Sequence, residues 1–210
     1  MIILLFSIVS SSLLMILFKY YGKMGIDNLE AITVNYLVAT GLGFYMSNVG
    51  ISIDIADRPW AIYAILLGAL FILMFYLMAM STQKVGVAIS TVAVKMSLVI
   101  PVVAGVFLYS ETITPLRSVG IVLALLAVGL VVKPPKGMGI DPKYILLPVI
   151  MFLVSGFLDS LFKFCQIHFL NPEDVPLFSA CLFATAGMVG LLILTVRKLK
   201  HGQLITYKGI

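Results

Sequence analysis

Three charged side chains lie inside long apolar stretches of this sequence, where a charge is costly. Lys95 stands near the middle of the apolar run at 86–108, and Asp159 and Lys163 stand in the run at 144–166. An ammonium group at the centre of a bilayer costs ~3 kcal/mol on insertion scales. Such charges usually face a partner, a water-filled cavity or an anionic ligand. These residue types in this setting favour the binding or movement of a solute.

Each of these charges has two interpretations. Lys95 either lines a polar cavity, or extends toward the membrane surface or pairs with an acid for structural reasons. Asp159 and Lys163 are four residues apart, so on a helix they share one face and can neutralise each other. A structural pair is the first interpretation, and a proton-carrying role for Asp159 is the second.

The composition indicates the solvent in which the chain folds. Apolar residues make up 61% of the 210 residues, charged residues 11%, and the mean hydropathy is +1.15. This leaves too little polar surface for a water-soluble globule and predicts a polytopic membrane protein. The net charge of +5 does not indicate nucleic-acid binding, because no basic run is interleaved with aromatic residues.

Apolar runs divide the chain into predicted membrane spans. They are continuous and do not alternate with polar residues, so they predict helices and not the strands of a barrel. Lipid cannot satisfy unpaired backbone N–H and C=O groups, which also favours helices. A helical span needs roughly 20 apolar residues. The predicted spans are 2–21, 30–48, 60–80, 86–108, 115–132, 144–166 and 175–196.

An internal repeat relates the two ends of the chain. The segment LLMILFKY at 13–20 returns in altered form as FLDSLFKF at 157–164, so Lys163 matches Lys19, whereas Asp159 replaces Met15. Five predicted spans separate equivalent positions, and an odd number inverts the second copy relative to the membrane. Inverted repeats are a common construction of secondary transporters.

Small residues spaced four apart predict where helices approach one another closely. The pairs are Ala64/Gly68, Gly120/Ala124 and Ala186/Gly190.

The stretch from Gly86 to Val132 carries a resemblance to a known family. Small polar residues lead into the fourth span, Pro101 lies within it, Glu111 follows it, and a glycine-rich fifth span begins near Gly120. On these residues the chain resembles the EamA-type transporters of the drug/metabolite transporter superfamily. The resemblance implies an all-α bundle of two inverted five-helix repeats with the second repeat incomplete. Residues 1–133 would form the first unit, 134–143 a linker, and 144–210 two helices of the second unit.

The same resemblance implies a function and a further site residue. Members of this superfamily carry small solutes, so we expect a secondary transporter in the cytoplasmic membrane, coupled to a proton or solute gradient. Asn35 lies close to a family position that is often arginine and departs from that pattern. It joins Lys95, Asp159 and Lys163 as a candidate substrate-binding residue. The substrate would be a small molecule, with an anion favoured by Lys95.

Other function classes have less support in the sequence. A non-transporting assembly or regulatory subunit of the membrane is the alternative to a carrier. His168 and His201 lack metal-ligand spacing, and no nucleotide-binding loop or hydrolase motif occurs. We therefore expect no enzyme activity, no cofactor and no metal site.

Overall fold

The computed structural model describes residues 2–47, 55, 57–109, 114–131 and 142–201. Within these ranges the chain is helical and forms no strand, which confirms the expected all-α architecture. The helices are α1 (Ile2–Met24), α2 (Asn28–Ser47), α3 (Ala61–Lys84), α4 (Val87–Met96), α5 (Val99–Tyr109), α6 (Pro115–Val131), α7 (Leu147–His168) and α8 (Val175–His201). A 3₁₀ turn at Pro142–Tyr144 precedes α7. The predicted linker lies outside the described residues except for Pro142 and Lys143, as do residues 202–210 of the predicted second unit.

Among the described residues, five segments are long and apolar enough to cross a membrane. They are Leu5–Met24, Ala61–Lys84, Val87–Leu108, Leu147–His168 and Val175–Lys200. The two other predicted spans correspond to α2 and α6. Asn28, Glu30 and Asn35 make α2 more polar, and α6 provides a shorter apolar stretch, Pro115–Ala127.

The fourth predicted span is interrupted, which the sequence-based expectation of one continuous helix missed. Ser97 and Leu98 form a turn between α4 and α5. Pro101 has no N–H to donate to the carbonyl of Ser97. That carbonyl instead accepts the N–H of Ile100 at 2.9 Å, three residues on, and the tighter bond separates the two helices.

The first of two compact units contains α1, the end of α3, α4 to α6, and α7 as far as Ser160. Polar contacts connect the end of α3 to two neighbouring helices. The hydroxyls of Ser81 and Ser90 are fully buried and lie 2.7 Å apart, which joins α3 to α4. The amide Nε2 of Gln83 donates to the carbonyl of Phe18 at 2.9 Å, which joins α3 to α1. Both bonds satisfy polar groups that lipid could not.

The second compact unit contains α2, the first part of α3, the end of α7, and α8. Its core is aromatic. The ring of Tyr36 contacts those of Phe75 and Phe183, with centroids 5.5 and 5.9 Å away. The Trp60 ring meets that of Phe178 edge-on at 5.6 Å. Such pairs contribute about 1 kcal/mol beyond the area that they bury.

Helices α2 and α8 pack along each other in opposite directions. A Cβ atom built on Gly43 would lie 2.9 Å from that of Ala180, and one on Gly187 would lie 3.1 Å from the Leu37 side chain. Near the other end, Gly190 lies against Thr33. Residue numbers fall along α2 as they rise along α8, so the pair is antiparallel. The repeat makes these helices equivalent, and inversion requires equivalent helices to run in opposite directions.

The small residues behave differently in the three predicted pairs. A Cβ on Gly68 would lie 2.5 Å from the Leu182 carbonyl oxygen, and Gly190 is equally close to its neighbours, so close packing is confirmed at both. A Cβ on Gly120 meets nothing within 4 Å. The prediction for Gly120 was wrong because the glycine lies on an exposed face of α6.

Candidate functional site

Lys95 lies in the last turn of α4, directly before the interruption of the fourth span. Its side chain is exposed, and Nζ donates to the Ser11 hydroxyl oxygen of α1 at 3.5 Å. The carbonyl groups at a helix C-terminus carry partial negative charge, which favours a cation by about 0.5 kcal/mol. The interruption therefore creates a favourable position for an ammonium group inside an apolar span.

Asp159 enters the same region from α7. It is half-buried, and the positive charge of Lys95 acts on its carboxylate. One turn earlier, Gly156 allows α7 to approach the interrupted span, because a Cβ there would overlap the side chain of Ile100. Close approach of α7 to α5 thus places the carboxylate within electrostatic range of the ammonium group.

Together, Lys95, Asp159 and Ser11 form a polar cluster, which we call the interruption site. It contains a cation, a carboxylate and a hydroxyl group, contributed by α4, α7 and α1. The cation can attract an anionic group, the carboxylate can accept a proton or a cationic group, and the hydroxyl can donate or accept a hydrogen bond. This chemistry suits reversible binding, since neither charge is locked in a bidentate pair.

The two other predicted site residues belong to the second unit. Asn35 lies on an exposed face of α2. Lys163 is half-buried on α7, one turn after Asp159 in the same continuous helix. The four-residue spacing of Asp159 and Lys163 on a helix is confirmed, and their mutual neutralisation stays a prediction, as do the binding roles of all four residues.

A charged network in the second unit was missed by the sequence analysis. Arg197 of α8 donates from Nη1 to Oδ2 of Asp27 at 2.7 Å, and from Nη2 to Oε1 of Glu30 at 3.5 Å. Asp27 also caps α2, since its Oδ1 accepts the N–H groups of Leu29 at 2.9 Å and Glu30 at 3.3 Å. The acids lie at the N-terminus of α2 and the arginine near the C-terminus of α8, so both helix dipoles are matched.

A second and weaker ion pair lies at the opposite end of α8. Nη1 of Arg58 is 3.7 Å from Oδ1 of Asp174, and the arginine side chain is 49% exposed.

The antiparallel packing explains why the Arg197 network was not predicted from the sequence. Asp27 and Arg197 are neighbours only if the start of α2 meets the end of α8. The repeat carries that signal, because inversion predicts antiparallel equivalent helices.

These features define a class of protein: a polytopic α-helical membrane protein with an interrupted span and charged groups inside its apolar segments. The sequence model of the EamA-like transporter family matches residues 1–133. The chain belongs to the EamA-like transporter family, as the residues from Gly86 to Val132 had indicated.

One similar curated protein comes from Haemophilus influenzae and is described as uncharacterised. It is 26% identical to this chain over 167 residues, which cover 76% of the chain and 57% of the relative. The chain thus corresponds to little more than half of that protein's length. No solved structure matches this chain significantly.

Proposed function

We propose that this chain carries small solutes across the cytoplasmic membrane as a secondary transporter, with the interruption site in the solute path. The observation that carries the proposal is that Lys95 and Asp159 lie within electrostatic range of each other beside an interrupted span. Transporters place solute and coupling-ion sites at interrupted helices near the middle of the membrane, where helix ends can contact charged groups. Membership of a transporter family supports the same function.

The two charges have separate roles in this proposal. Lys95 attracts an anionic group of the solute, while Asp159 holds the site near neutrality when no solute is bound. A proton taken up by Asp159 would leave Lys95 unopposed and strengthen anion binding, which couples the solute to a proton gradient. Asn35 and Lys163 are further candidate contacts, proposed from the sequence alone.

The test is a flux measurement on the complete protein in proteoliposomes loaded with a cell metabolite extract. Mass spectrometry identifies the solutes that leave these proteoliposomes faster than they leave protein-free liposomes loaded with the same extract. Lys95→Met should lower their flux at least about tenfold, which is 1.4 kcal/mol of lost stabilisation. Asp159→Asn should retain flux but reduce its dependence on a pH gradient.

Lys198→Met is the matched control, because Lys198 is an exposed lysine near the end of α8. It should leave flux unchanged, with equal amounts of both variants in the liposomes. Equal flux from wild type and Lys95→Met would remove the interruption site from the solute path. If no solute left faster than from protein-free liposomes with the same extract, the interpretation as a non-transporting membrane subunit would replace that of a carrier.

A further inference from the structure

The second unit contains an open cavity of about 560 Å³ between the start of α2, α3 and α8. This volume lies within the range of small-molecule sites. Its wall is charged at one end and apolar elsewhere. The lining includes Asp27, Ala69, Leu73, Tyr76, Ile193 and Arg197.

The cavity extends along the helix axes. Val189, Ile193 and Arg197 lie four residues apart on one face of α8, so the lining covers ~12 Å from the apolar end to the guanidinium. On α3, Ala69 lies toward the apolar end and Tyr76 toward the charged end. An occupant would therefore be long and amphipathic, with its head group at Asp27 and Arg197.

The charged end presents both signs side by side. Oδ2 of Asp27 lies 2.7 Å from Nη1 of Arg197. A carboxylate oxygen accepts more than one hydrogen bond and a guanidinium has five N–H donors, so both groups can bind a further ligand while paired. A head group with adjacent positive and negative charges complements this pair, whereas a purely anionic head group would meet the Asp27 carboxylate.

The position of the charged end favours a lipid over a dissolved solute. Asp27 directly precedes α2, and Arg197 is in the last turns of α8, so the charges lie at helix ends, where membrane head groups lie. The rim is apolar and open, with Leu73 47% and Ile193 43% exposed. Tyr76 adds a phenol group to the lining toward the charged end.

We propose that this cavity binds a phospholipid with an ethanolamine head group. The ammonium group donates to Asp27, the phosphate accepts from Arg197, and one acyl chain lies against Leu73, Ile193 and Ala69. This inference concerns a different unit from the interruption site and does not depend on transport. It gives the ion pair a binding role in addition to its structural one.

The test uses the purified complete protein in detergent, with palmitoyl-oleoyl phosphatidylethanolamine or phosphatidylglycerol as probe. Native mass spectrometry measures retained lipid, and thermal denaturation measures the stabilisation. We expect about tenfold tighter retention of phosphatidylethanolamine than of phosphatidylglycerol. Asp27→Asn keeps a good helix cap but removes the charge, and should abolish this preference.

Ala69→Phe provides a second variant that leaves the ion pair intact. It fills the apolar end of the cavity and should weaken phosphatidylethanolamine retention about tenfold without lowering the melting temperature of the lipid-free protein. Lys198→Gln, an exposed neighbour of Arg197 outside the cavity lining, should retain the lipid like wild type.

Three results would overturn the proposal. Equal retention of phosphatidylglycerol would indicate general attraction to the basic surface. Undiminished retention by Ala69→Phe would place the lipid elsewhere. Equal stabilisation by phosphoethanolamine, which lacks acyl chains, would identify a site for a dissolved solute.

Discussion

At the scale of single residues, burial distinguishes the Arg197 network of the second unit from the Arg58–Asp174 pair. Glu30 is 3% exposed and shares Arg197 with Asp27, whereas Arg58 is half-exposed and 3.7 Å from Asp174. A buried carboxylate that loses its cation costs several kcal/mol, while an exposed pair contributes under about 1 kcal/mol. Most of the ion-pair stabilisation therefore comes from Arg197.

Arg197→Gln should lower the stability of the detergent-purified protein by ~2 kcal/mol, a value below that of a fully buried pair because Arg197 is partly exposed. Thermal denaturation followed by circular dichroism measures this. Adding Glu30→Gln to the same chain should restore part of the loss, since it removes the buried charge.

Arg58→Gln serves as the comparison, because it removes an ion-paired arginine at the other end of α8. Its expected cost is about 0.5 kcal/mol or less. Equal losses from the two arginine variants would contradict the assignment based on burial.

Sequence reasoning located charged residues better than it located their neighbours. Lys95 and Asp159 were singled out because a charge is conspicuous in an apolar run. Their proximity was not predicted, because it depends on the approach of α7 at Gly156, and the four-residue rule directed attention to Lys163. Asp27 and Arg197 were passed over since charges at helix ends are common.

At the scale of elements, the interruption of the fourth span is the feature that the sequence left ambiguous. Pro101 was recognised inside the span, but prolines are tolerated in membrane helices when neighbouring groups satisfy the backbone. Whether α4 and α5 separate depends on the bond from Ile100 to the Ser97 carbonyl. The pattern of apolar residues contains no information on that bond.

Pro101→Ala should make α4 and α5 more nearly continuous, because the new N–H can bond to the Ser97 carbonyl. Removing a proline from a helix interior relieves up to ~3 kcal/mol, so the melting temperature should stay level or rise. Solute flux should fall, since a continuous helix moves the ammonium group of Lys95 away from a helix end.

Pro176→Ala is the matched change, at the first turn of α8, where a proline disturbs no helical bond. This variant should alter neither the melting temperature nor the solute flux. Undiminished flux in Pro101→Ala would mean that the interruption serves packing alone.

At the scale of the whole molecule, the internal repeat predicted more than the composition did. Composition predicted a membrane protein and the apolar runs predicted its helices, but neither orders helices in space. The similarity of 13–20 and 157–164 made α2 equivalent to α8, and the structure packs these two helices antiparallel. Gly43 against Ala180 is one contact of this pair; the repeat predicted the opposite directions of the two helices but not their contact.

Cysteines at Gly43 and Ala180, in a chain with Cys165→Ala and Cys181→Ser, should form a disulfide on mild oxidation. The Cβ atoms would start 2.9 Å apart and need only a small shift toward the usual ~3.8 Å. Thiol counting by mass spectrometry before and after reduction detects the bond.

Gly41→Cys with Ala180→Cys is the control, since a Cβ on Gly41 meets nothing within 4 Å. It should stay reduced. Oxidation of the control pair as readily as the first would contradict the described register of α2 on α8.

The Arg197 network and the Arg58–Asp174 pair also define a length along α8. Arg197 and Asp174 mark the two ends of α8 and are separated by 23 residues, or ~34 Å of helix. The hydrocarbon layer of a bilayer is ~30 Å thick, so both pairs reach head groups when the helix is modestly tilted. Acyl chains much longer than average would draw one pair into hydrocarbon, and hydrophobic mismatch would then act directly on the ends of α2, α3 and α8.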